Sequence, residues 1–190
     1  MRIPLTLCLG LLLGWAGRSA AQNEIKLDSN VAFYEGEKLD FIFYPPDGFV
    51  MVDEPAVADG YSFGFIPQGH TYDSAGEFIG VNIFKIRGMS FREALAADTA
   101  QVHAHYGPNS VLWPVDSVFI ATGEIIPTFF INDTTGFVPS VMMSYYDGGT
   151  EMVIFELVID GNTPRFKAED IYVQCLNRFK VLSIGELGYE

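Results

Sequence analysis

Residues 150–160 constrain this chain most. Thr150–Asp160 is apolar on both sides, with Met152, Ile154 and Val158 in one alternating set and Val153, Phe155, Leu157 and Ile159 in the other. A strand apolar on both faces has to be covered on both, which places it at the centre of a sheet with layers above and below. Glu156 interrupts the first set between Ile154 and Val158. It is the one ionisable group of that set with apolar residues on both sides.

The segments around it supply the rest of such a sheet. Leu39–Tyr44 alternates, with Leu39, Phe41 and Phe43 on one side, and Pro45-Pro46-Asp47-Gly48 then forces a turn into a short returning strand, Phe49–Val52. Tyr61–Ile66 and Phe78–Ile86 read as strands with a loop at His70–Glu77 between them. A meander is expected over 110–160, with strands at Val115–Ala121, Glu124–Asn132, Phe137–Tyr146 and Thr150–Asp160. Thr122-Gly123, Asp133 to Gly136 and Asp147-Gly148-Gly149 are its turns. Residues 22–38 are polar and irregular, with a short strand around Val31–Tyr34.

Two helices are expected. Ser90 and Glu93 stand at the spacing of a capping box, in which each side chain satisfies a free backbone N–H of the other residue. That starts a helix over Ser90–Tyr106 with Phe91, Leu95, Val102 and Tyr106 on its apolar face, ended by Gly107-Pro108. Thr163 and Pro164 open a second helix of roughly four turns, reaching to about Lys180. Helices segregated against an antiparallel sheet make an α+β domain.

The beginning of the chain reads differently. Arg2, an apolar run from Ile3 to about Trp15, and then Ser19, Ala20 and Ala21 form the pattern of a secretory signal peptide cut after Ala21. The run is too short for a membrane anchor, which needs roughly 20 apolar residues, and Gly17 and Arg18 interrupt it. Cys8 follows too few apolar residues for a lipoprotein signal. The expected layout is a signal peptide at 1–21, an N-terminal segment at 22–38 and one domain at 39–190, exported from the cytoplasm.

Charge and cysteine content exclude several functions. Lys and Arg number 11 against 24 acids, a net charge of −13. Losing Arg2 and Arg18 leaves 9 against 24, or −15. Nucleic acid and anionic membranes need clustered cations, so neither is an expected partner. Without Cys8, Cys175 stands alone and no intramolecular disulfide can form. Its helical spacing with Ile171 and Phe179 marks it as a small core residue.

The layout also resembles a known family. Tyr44-Pro45 followed by Gly48-Phe49 is similar to the "Y-P-x-G-W" opening of Mog1/PsbP-like domains, and Phe65-Ile66-Pro67-Gln68-Gly69 to their "F-x-P-x-G" strand end. A helix at Ser90–Tyr106, a long meander, a turn like Asp147-Gly148-Gly149 and a C-terminal helix follow in the family's order. The resemblance spans residues 39–182. It departs at Phe49, where tryptophan is usual, and at Pro46, inserted beside Pro45. It implies an α/β/α sandwich used mostly for binding partners and offers no active site to transfer.

Few residues suggest chemistry. The chain lacks the local signatures of serine hydrolases, zinc proteases, phosphate loops and dinucleotide sites. His103 and His105 would share a face on a strand but diverge on a helix, and His70 falls in a loop. Asp53, Glu54 and Asp59 are broken by Pro55 and lack the alternation of a calcium loop. Glu156 is a candidate acid or base if it is enclosed, and an ordinary solvated residue if the covering layer has a gap there. Phe137–Tyr146 has an apolar face (Phe137, Val141, Met143, Tyr145) and a mixed one (Val138, Ser140, Met142, Ser144, Tyr146). The mixed face reads as the exposed side of the sheet, with a ligand-pocket lining as the alternative. Asn132-Asp133-Thr134 is a glycosylation sequon in an expected turn.

The expectation is a secreted, non-enzymatic binding or accessory protein with an unknown protein or small-molecule partner. No catalytic, cofactor-binding or metal-binding residue is assigned, and neither a cofactor nor a structural metal is expected. The alternatives are a carrier of a small ligand or metal, and an enzyme built around Glu156.

Overall fold

The computed structural model describes residues 25–28, 30–106, 111–114, 118–121, 123–132, 140–159 and 165–183. In chain order its strands are β1 (Ile25–Asp28), β2 (Val31–Glu35), β3 (Leu39–Phe43), β4 (Phe49–Val52), β5 (Phe63–Pro67), β6 (Glu77–Lys85), β7 (Val111–Pro114), β8 (Val118–Phe119), β9 (Ile125–Ile126), β10 (Thr128–Asn132), β11 (Ser140–Asp147), β12 (Glu151–Ile159) and β13 (Lys180–Ser183). The helices are α1 (Glu54–Ala58), α2 (Phe91–Tyr106) and α3 (Arg165–Arg178), with a 3-10 turn at Tyr72–Ser74. The expected signal peptide, the breaks at Gly107-Pro108 and Asp133–Gly136, and the Thr163-Pro164 cap lie outside the described residues.

The fold is α+β, and the strand pairing among the described residues is antiparallel throughout. One sheet runs β4-β5-β6-β12-β11-β10-β7, a second runs β1-β2-β3-β13, and β8 and β9 form a short ribbon. The doubly apolar segment is β12, the fourth of the seven strands. All nine of its residues are buried, as a strand with two apolar faces requires.

Each face of the large sheet carries its own core. On one side Val81, Ile83, Val153, Phe155 and Leu157 pack with α3 (Tyr172, Cys175, Leu176) and with Ala32, Tyr34, Phe41 and Phe43 of the second sheet. On the other, Phe78, Phe84, Met143, Tyr145, Met152 and Ile154 pack with Ala56 of α1 and with Ala94 and Val102 of α2. The capping box forms as expected. The backbone N–H of Ser90 donates to Glu93 Oε2 at 2.8 Å, and that of Glu93 donates to Ser90 Oγ at 3.3 Å. The Ser90 N–H, and after it the Ser90 hydroxyl, which donates to Glu93 Oε2 at 2.7 Å, hold the Glu93 carboxyl below its usual value.

Several elements depart from the sequence reading. Residues 25–35, read as largely irregular, form two strands that pair onto β3. The turn after β3 forms, with Gly48 at φ 77° and the N–H of Phe49 bonded to the Pro46 carbonyl at 3.1 Å. It does not return β4 to β3, however. β4 crosses to the large sheet and pairs with β5. Its outward N–H at Met51 is capped by Asn30 Oδ1 at 3.3 Å, which ties the two sheets at this edge.

Of the expected strand at Val115–Ala121, Val118–Phe119 form β8 and residues 115–117 lie outside the described residues, while Val111–Pro114, ahead of it, form β7. Glu124–Asn132 is two strands rather than one, divided at Pro127, which has no N–H to give to a ladder. The helix expected to reach Lys180 stops at Arg178, and Lys180–Ser183 pairs with β3. Three residues of the mixed face of β11 are not exposed. Met142, Ser144 and Tyr146 are buried beneath the second sheet and ribbon, and Ser144 Oγ lies 2.8 Å from Thr128 Oγ1. On α2 the fully buried stripe is Ala94, Asp98 and Val102, with Phe91 and Leu95 only half-buried beside it.

Gly64 and Gly80 face each other across β5 and β6, and the Phe78 and Tyr61 rings lie where their side chains would be. Gly80→Ala would drive a methyl into the Tyr61 ring. We expect a loss of about 1–3 kcal/mol in urea unfolding, the usual cost of overpacking. An unchanged midpoint would show that the Tyr61 ring can move aside.

Candidate functional site

Glu156 lies under the α1–α2 layer and is 5% exposed. It is opposite Gly80 of β6 and Met143 of β11. The absence of a side chain at Gly80 lets Tyr61 lie flat over the strand, and its hydroxyl donates to Glu156 Oε2 at 3.0 Å. Phe78 packs edge-on against Tyr61, with ring centroids 4.9 Å apart, and Tyr72 packs edge-on against Phe78. Glu156 is therefore covered by an aromatic lid, and the layer has no gap over it that would expose the carboxylate.

A second carboxylate shares this face. Asp98 of α2 is also 5% exposed and accepts the Tyr145 hydroxyl at 2.9 Å. Tyr145 is on β11, two positions from the residue paired with Glu156. Burial, then the charge and hydrogen bond of Asp98, then the charge of Glu156 push the Tyr145 hydroxyl well above its ordinary value. Each pair joins the sheet to its cover: Tyr61 reaches down to β12, and Tyr145 reaches up to α2. The arrangement is a set of polar ties between layers, with each carboxylate oriented by a phenol.

Sequence reasoning missed Asp98, although it stands four residues from both Ala94 and Val102 and so interrupts a buried helical stripe. It also missed Glu151, which is fully buried at the start of β12. Glu151 accepts the N–H of Glu37 at 3.1 Å and the hydroxyl of Thr150 at 2.6 Å, holding the β2–β3 turn against the large sheet. The Asp147–Thr150 turn before it has Gly149 at φ 81°, with the N–H of Gly149 bonded to Asp147 Oδ1 at 2.8 Å.

The other candidates do not converge. His103 is exposed on α2, and His105 stands two positions along the same helix, about 200° around its axis. His70 is exposed in its loop. Asp53 caps the N-terminus of α1, Pro55 sits in the first turn of that helix, and Asp59 accepts the Tyr72 hydroxyl at 2.8 Å. Among the described residues no three of His, Cys, Asp and Glu come together as a metal site, and no helix is long and apolar enough to cross a membrane. Asn132 ends β10, and the rest of its sequon lies outside the described residues. Cys175 is buried with a free thiol.

No family model matches the chain, and no curated protein matches it. Among solved structures, it is similar to the solution structure of cyanobacterial PsbP (CyanoP) from Synechocystis sp. PCC 6803. The two are 15% identical, the match covers 89% of this chain and 98% of that one, and the TM-score is 0.46.

Proposed function

We propose that this chain is a binding or accessory domain that works outside the cytoplasm through its surface rather than by catalysis. What supports this reading is the position of Glu156, the strongest chemical candidate in the sequence. It is enclosed, and it accepts a hydrogen bond from a buried tyrosine that also packs against Phe78. A general acid or base has to reach the reacting atoms of a substrate, and here the lid itself is the hydrogen-bond partner.

Two variants separate a structural carboxylate from a reactive one. Tyr61→Phe removes a donor from the buried carboxylate and should cost about 1–3 kcal/mol of stability. Glu156→Gln keeps an acceptor for the Tyr61 hydroxyl and should stay within about 1 kcal/mol of wild type. Purified wild type and Glu156→Gln are then used as baits in an extracytoplasmic extract, and proteins and small molecules are identified by mass spectrometry. The two baits should retain the same partner. A substrate turned over by wild type but not by folded Glu156→Gln would overturn the reading in favour of an enzyme. A tightly held small molecule in place of a protein would make the chain a carrier.

A further inference from the structure

We draw no further inference here: the strongest candidate, the half-buried apolar row of Val31, Phe33 and Ile42 on the outer face of the four-stranded sheet, sits beside a lysine, Lys26, already ion-paired with Glu35 of the same chain, and nothing in the structure shows what covers it.

Discussion

Phe179→Ala is expected to lower the unfolding free energy by about 3–5 kcal/mol, the cost of emptying a well-packed aromatic site. Phe179 follows α3 directly and is 1% exposed. Its ring lies 5.8 Å from Phe41 and 5.1 Å from Phe43 of the second sheet, and 5.1 Å from Tyr146 and 5.2 Å from Phe155 of the large one. It is therefore the joint between two sheets and a helix, and truncation removes contacts from all of them at once. Phe179→Leu refills much of the volume and should cost less. Val173, exposed on α3, provides the control: Val173→Ala should change stability by less than about 0.5 kcal/mol. Urea unfolding checks all three. A Phe179→Ala loss below about 1 kcal/mol would mean that the two sheets do not share one core.

The second large effect is alkaline. Burial pushes the Cys175 thiol up to about 12, from 9.0 in its unperturbed state. The Tyr145 and Tyr172 hydroxyls move well above 10.0, with burial the leading cause for both, and Tyr146 moves the same way. Each group holds its proton more tightly in the folded state, so its contribution is complete below the unfolded value. The contribution declines as pH rises from that value toward the folded one, because only the unfolded chain then releases the proton. The loss begins near pH 9 through Cys175 and steepens above pH 10 as the tyrosines join.

Each fully engaged group contributes at most about 1.4 kcal/mol per pH unit, so a few acting together approach the whole stability of a domain. Tyr172 also donates to the Phe155 carbonyl at 2.9 Å, a bond that its ionised form cannot make. We expect the thermal midpoint to be level from pH 7 to 8.5 and to fall steeply from about pH 10. At pH 8 the buried Cys175 keeps its proton, so a thiol reagent should modify it only after denaturant is added. A midpoint that stays level to pH 11 would show that these groups are hydrated in the folded protein.

The sequence by itself determined the elements whose evidence is local. The two apolar sets of Thr150–Asp160 required β12 to be central, because neither face could be left in water. The Ser90–Glu93 box set the start of α2, since both of its bonds close within one turn. Cys175 was legible as core from helical spacing alone, and it is 2% exposed.

Tertiary structure decided whatever depended on which segment lies across from which. The turn at Pro46–Gly48 is the same whether the next strand returns to β3 or crosses to β5, and only the packing of Phe49 and the cap from Asn30 select β5. Lys180–Ser183 is too short to announce a strand, and β3 makes it one by offering an open edge. The hydroxyls of β11 looked solvated because alternation shows which residues share a face but not what covers that face. The second sheet and the ribbon cover it. The roles of the acids were also withheld from the sequence. Glu156, Asp98 and Glu151 find their partners 95, 47 and 114 residues away, distances along the chain that only the folded layers bring together.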